Sequence, residues 1–124
     1  MTKKREHLPE KLVDTIIEAL KNLKAVDIVS VDLKNVSGAV CKYFVICNGT
    51  SNTHVSALAD NVEDETLEKL NEKVWRVEGK QNAQWVLLDY ADVVVHVFQK
   101  EYRDYYQLEQ LWADANITCI PDVH

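Results

Sequence analysis

Residues 85–98 read Trp85-Val86-Leu87-Leu88-Asp89-Tyr90-Ala91-Asp92-Val93-Val94-Val95-His96-Val97-Phe98, two apolar runs held apart by a polar quartet. Trp85 to Leu88 and Val93 to Phe98 are rich in β-branched and aromatic residues and read as strands. The join Asp89-Tyr90-Ala91-Asp92 is of turn length, whereas parallel neighbours need a crossover of a dozen or more residues. These strands therefore run antiparallel, which excludes an all-parallel sheet. Just upstream, Val74 to Val77 reads as a brief strand closed by Glu78-Gly79.

Further outward, Tyr43 to Cys47 (YFVIC) is a continuous apolar run typical of a strand buried on both faces, ended by Asn48-Gly49. Ser51 or Asn52 can cap a helix carrying Val55, Leu58, Ala59, Val62, Leu67 and Leu70 and ending near Lys73. Before these, Leu12, Val13, Ile16, Ile17, Leu20 and Leu23 recur at helical spacing between Glu10 and Lys24, behind a first-turn Pro9. Asp27 to Leu33 alternates like a strand, and a turn follows around Lys34 to Gly38. After the late strands, Tyr102 to Ala113 sets Tyr105, Leu108, Leu111 and Trp112 at helical spacing, with Tyr105 and Trp112 expected in the core. Pro121 keeps the tail from continuing as helix. The order helix, strand, strand, helix, strand, strand, strand, helix predicts an α/β fold, a mixed β-sheet packed with helices.

The chain has 124 residues, 47% of them hydrophobic, enough for one compact domain spanning 1–124 with a core over about 8–113. No run approaches the ~20 apolar residues that cross a bilayer, and the charged start MTKKREHLPE is unlike a signal core, so a cytoplasmic location and no membrane partner are expected. Cys41, Cys47 and Cys119 are an odd number without CxxC or CxxH spacing, which suggests reduced thiols, no zinc site and no disulfide framework. Fourteen basic against twenty acidic residues give a formal charge of −6. Attraction to nucleic-acid phosphate is then a poor source of affinity, no sequence-specific nucleic-acid binding is expected, and a basic protein partner fits better.

The most enzyme-like feature is Asn48-Gly49-Thr50-Ser51, between a strand and a helix, where backbone amides can hold phosphate. Neither a Walker GxxxxGK[ST] nor a Rossmann GxGxxG exists in the chain, and the plainer reading is a turn and a helix cap. A nucleotidyltransferase layout also needs an Asp-x-Asp to hold magnesium; Asp89 and Asp92 stand three apart across a turn, so no catalytic residue, metal or cofactor is assigned. His96, in the strand VVVHVF, shares a face with Val94 and Phe98 and has no visible nucleophile partner. His54 lies just inside the second helix. Cys47, preceded by apolar residues, reads as a buried strand thiol.

Taken together, Glu78-Gly79, the stretch from Trp85 to Phe98, Tyr106-Gln107-Leu108-Glu109-Gln110-Leu111-Trp112, Asp27-Ile28 and the run from Asn48 to Val55 resemble the iojap-like ribosomal silencing factor family. The likeness runs from the first helix to Trp112. Two positions depart from the family pattern: Ala91 stands where glycine is usual, which makes a positive φ there less comfortable, and Thr53 stands where a basic residue is frequent. The resemblance implies a nucleotidyltransferase-like fold without its catalytic acids. It also implies a translational repressor that binds the large ribosomal subunit via ribosomal protein L-fourteen and blocks joining of the small subunit.

Independently of that likeness, the late strands carry Trp85, Tyr90 and Phe98 beside Asp89, Asp92 and Glu101, an aromatic centre with an acidic rim suited to a basic partner. The expected partner-binding residues are Trp85, Asp89, Tyr90, Phe98 and His96. Phe98 reads equally as core or interface, and Trp85 as interface because it follows the polar stretch Gly79 to Gln84. The rival readings are a nucleotide-binding or nucleotidyltransferase-like enzyme using Gly49-Thr50-Ser51, and a homodimeric adaptor.

Overall fold

A computed structural model describes residues 8–111 and 115–122. Helix α1 (Pro9–Asn22) starts with proline in its first turn and buries Leu12, Val13, Ile16, Ala19 and Leu20 along one stripe. Strands β1 (Val26–Asp32) and β2 (Tyr43–Gly49) follow. β2 is buried at all seven positions, as its unbroken apolar run predicts. Helix α2 (Asn52–Leu70) is capped by Ser51, whose hydroxyl accepts the His54 N–H, and ends at Asn71 in the left-handed conformation. Strands β3 (Arg76–Glu78), β4 (Trp85–Asp89) and β5 (Val93–Gln99) lead into α3 (Lys100–Tyr106), a short α4 (Leu108–Leu111) and β6 (Asn116–Ile120).

The six strands form one sheet in the order β3-β4-β5-β2-β1-β6. Only β2 and β5 run parallel, Tyr43 facing Val93 through to Gly49 facing Gln99; the other four pairings are antiparallel. The sheet is mixed, as the short join between β4 and β5 requires. Helices α1 and α2 cover one face, closing a core that includes Ile28, Val45, Cys47, Val86, Leu88, Val95 and Val97. The opposite face holds a smaller core of Val29, Val31, Phe44, Ile46, Val94 and Phe98, against which Val36, Ala39, Cys41, Tyr102 and Leu108 pack.

Three segments differ from the sequence expectation. The brief strand lies at Arg76–Glu78 instead of 74–77, because Val74 packs against the helix-covered core outside the ladder. The last helix is broken: Gln107 takes a left-handed conformation (φ 51°) and its N–H closes on Arg103 O at 2.9 Å, separating α3 from α4. That break leaves Tyr105 73% exposed, not in the core; Trp112 lies outside the described residues. Finally, the tail adds a sixth strand, β6 on β1, with Ile120 facing Ile28 and Asn116 facing Asp32.

Candidate functional site

Register decides which late-strand side chains can meet a partner. Trp85 faces Phe98, Leu87 faces His96 and Asp89 faces Val94, so these six point away from α1 and α2. Among the described residues, α3, α4, the 33–42 loop and Ala115 cover that side, and at β4 Trp85, Leu87 and Asp89 stay half-buried.

On this face Trp85 is the hub. Its ring stacks on Phe98 at 4.9 Å and meets Tyr106 at 4.7 Å and His96 at 5.8 Å. His96 stands edge-on to Phe44 at 4.9 Å. The indole Nε1–H donates to His96 Nδ1 at 3.0 Å, which requires that nitrogen to be unprotonated and fixes both rings in place. The result is an aromatic cluster in which Trp85 is half-buried over buried rings, continued outward by the half-exposed Tyr106. Nearby Cys41 donates to Tyr43 O at 3.4 Å, and burial pushes its thiol up to about 11, away from nucleophilic reactivity.

Three of the expected partner contacts are inside the fold instead. Phe98 is fully buried beneath Trp85, Tyr90 is 2% exposed and His96 5%. Tyr90 points to the helix side, where its hydroxyl and that of Thr66 share a 2.8 Å hydrogen bond, and burial pushes its phenol up to about 12. In this conformation none of the three side chains offers surface to a partner; Phe98 and His96 support Trp85, and Tyr90 ties the β4–β5 turn to α2. Asp89 is likewise committed inside the chain. Its Oδ1 accepts the Ala91 N–H at 2.8 Å and its Oδ2 lies 3.5 Å from Arg76 Nη2, so it builds the turn and is not a free acidic rim group. Sequence reasoning missed Leu87, Arg76 and Tyr106 on this face; for Leu87, parity with Trp85 was the available signal.

At Gly49-Thr50-Ser51, three amides around the helix start are engaged within the chain. Thr50 N–H donates to His54 Nδ1 at 2.9 Å, Thr53 N–H to Asn52 Oδ1 at 2.8 Å and His54 N–H to Ser51 Oγ at 3.0 Å. A Cβ on Gly49 would come 3.0 Å from Val55 Cγ2 and 3.1 Å from Val55 N, so this glycine allows the strand to approach the helix closely. His54 spans the junction, its Nε2 reaching Leu23 O at 2.7 Å at the end of α1. Among the described residues, no group of three or more His, Cys, Asp or Glu could hold a metal ion, and no helix is long and apolar enough to cross a membrane.

A mixed sheet with one face covered by α1 and α2 and a half-buried Trp85 on the other defines the fold as an α/β domain. The sequence profile described as ribosomal silencing factor during starvation matches residues 5–124, and the chain belongs to that family. It is 44% identical over 97 residues, 78% of this chain and 80% of the other, to the Bacillus subtilis ribosomal silencing factor RsfS. The crystal structure of a Chromobacterium violaceum protein superimposes with a TM-score of 0.81 at 34% identity, covering 86% of this chain and 88% of that one. A more distant relative, 28% identical over 110 residues (86% of this chain, 48% of the other), is the mouse mitochondrial assembly of ribosomal large subunit protein 1.

Proposed function

We propose that this protein represses translation by docking on the large ribosomal subunit at ribosomal protein L-fourteen and blocking the joining of the small subunit, acting by occupation and not by catalysis. The observation that carries the reading is the half-buried Trp85, held by the buried rings of His96 and Phe98 with Phe44 behind them, a preorganised aromatic anchor of the kind that centres protein interfaces. The formal charge of −6 favours a basic partner through long-range attraction. Family membership and the name of the mouse relative support the ribosome, and its large subunit, as the target. The rival nucleotide reading is disfavoured because the Thr50, Thr53 and His54 amides are engaged within the chain. In this proposal Trp85 is the anchor, His96 and Phe98 hold it, and Asp89 with Tyr90 sets the turn beside it.

Sedimentation of the purified protein with separated subunits, followed by addition of small subunits, tests the reading. Comigration with large subunits and loss of joined ribosomes is the expected result. Replacing Trp85 by Ala should weaken binding by roughly 2 kcal/mol, about 30-fold, while the variant remains folded. Unaffected joining at saturating protein would overturn the proposal.

A further inference from the structure

Helix α3 carries four charged side chains, and three of them are paired within the chain. Lys100 Nζ donates to Asp104 Oδ2 at 2.7 Å, one helical turn on. Arg103 is buried and donates through Nη1 to Asp27 O at 2.6 Å and to Asn48 Oδ1 at 2.8 Å, so it serves the interior and not the surface. The fourth, Glu101, is exposed, and none of the ion pairs among the described residues includes it.

Tyr105 stands four positions after Glu101, the spacing that brings two side chains together on one face of a helix. It is largely exposed, and its ring meets Tyr106 edge-on at 5.1 Å. Tyr106 in turn meets Trp85, which stacks on Phe98. These rings form a row that begins in the core at Phe98 and ends in solvent at Tyr105, beside the unpaired carboxylate.

An aromatic face next to a carboxylate is a receptor for a planar cation. The electron-rich face of a phenol attracts a guanidinium laid over it, and a neighbouring carboxylate accepts the guanidinium N–H groups. Arginine suits the pair better than lysine, whose ammonium is compact, strongly hydrated and without a flat face. The cation has to come from a partner, because the two basic residues of α3 are already paired. The field of a chain carrying −6 favours the approach of a basic surface.

We propose that Tyr105 and Glu101 form an arginine-binding ledge at the outer end of the Trp85 row: a partner's arginine lays its guanidinium on the Tyr105 ring and donates to the Glu101 carboxylate. The identity of the partner, a basic protein surface of the large subunit, rests on the docking reading, and the ledge extends that footprint from Trp85 along α3. Trp85 supplies contact area, whereas the ledge supplies selection, since a neutral or acidic group seated there leaves the Glu101 carboxylate covered and without a counter-charge. That carboxylate also disfavours a nucleic-acid base as the occupant, because it repels the accompanying phosphates.

NMR titration of the full chain with a capped Gly-Arg-Gly peptide, beside the same peptide carrying neutral citrulline for arginine, tests the ledge without the ribosome. The Tyr105 ring protons should shift with the arginine peptide and not with the citrulline one. Tyr105→Phe should retain peptide binding, Tyr105→Leu should abolish it, and Glu101→Gln should weaken it about threefold. Both positions are exposed, so the thermal midpoint should stay as in the parent. With purified large subunits, Tyr105→Leu should bind about fivefold more weakly, within the range of a cation–π contact, and Tyr105→Phe should match the parent. Equal shifts with arginine and citrulline, a response that survives Tyr105→Leu, larger shifts with single-stranded oligouridylate than with the arginine peptide, or undiminished subunit binding by Tyr105→Leu would overturn the proposal. Failure of the parent protein to bind large subunits would overturn the docking reading instead, and the peptide titration would still decide the ledge.

Discussion

Ala91 occupies the left-handed region at φ 71°, between the committed Asp89 and the start of β5. A residue with a Cβ loses roughly 1–2 kcal/mol there relative to the right-handed region. Glycine avoids that penalty but surrenders roughly 0.5–1 kcal/mol of extra backbone freedom on folding. Ala91→Gly should therefore stabilise the fold by about 0.5–1 kcal/mol. The Asp89 carboxylate bonds the backbone N–H of residue 91, so that contact survives the change. At a urea slope of roughly 1–3 kcal/mol/M, the unfolding midpoint should rise by about 0.2–1 M with no change in slope. Gly38 supplies the reciprocal control. It sits at φ 80° with nothing within 4 Å of a built Cβ, so Gly38→Ala isolates the backbone term and should lower the midpoint by a similar amount. An Ala91→Gly protein that is unchanged or weaker, beside a Gly38→Ala protein that falls as expected, would refute the claim that this turn is strained.

Tyr90→Phe removes the hydroxyl shared with Thr66 but leaves Thr66 Oγ1 bonded to Val62 O at 2.9 Å. It should cost about 1 kcal/mol in chemical denaturation while ribosome binding stays as in the parent; a large loss of binding at unchanged stability would return Tyr90 to the docking surface. Thiol labelling followed by mass spectrometry at neutral pH should modify exposed Cys119 first and Cys41 far more slowly, its thiol being pushed up to about 11 by burial. Fully buried Cys47, pushed up to about 12 by the same cause, should react only on unfolding. Rapid labelling of Cys47 in the folded protein would contradict its placement in the core.

The parts of this fold legible in the sequence are those where one periodicity dominates. YFVIC is typical of a strand covered on both faces, and the short Asp89–Asp92 join argues against a parallel neighbour. Parity carried more than was taken from it. Tyr90 continues the Val86, Leu88 series and so belongs with the helix-side core, and Phe98 two residues after His96 belongs under Trp85. Ile117-Thr118-Cys119-Ile120 is β-forming, but Pro121 draws attention to what the tail cannot be instead of what it is. The break at Gln107 carried no such signal. Glutamine is a good helix former, and the spacing of Tyr105, Leu108 and Leu111 fits one continuous helix. There the tertiary arrangement overrides local preference, and Tyr105 falls outside the core as a consequence.

The single parallel seam between β2 and β5 also governs when this surface comes into being. Tyr43 and Val93 are neighbours in space but 50 residues apart in sequence, the kind of remote pairing whose loop-closure entropy slows folding. On either side of this seam the pairings are nearer, β1 meeting β2 across one loop and β3, β4 and β5 following one another as a meander; β6 joins β1 from farther still, at the other edge of the sheet. Two local substructures can thus form early, but Phe44 belongs to one of them while Trp85, His96 and Phe98 belong to the other. A nascent chain still lacking β5 has no such face, so the aromatic cluster arrives with the β2–β5 closure and not gradually with length.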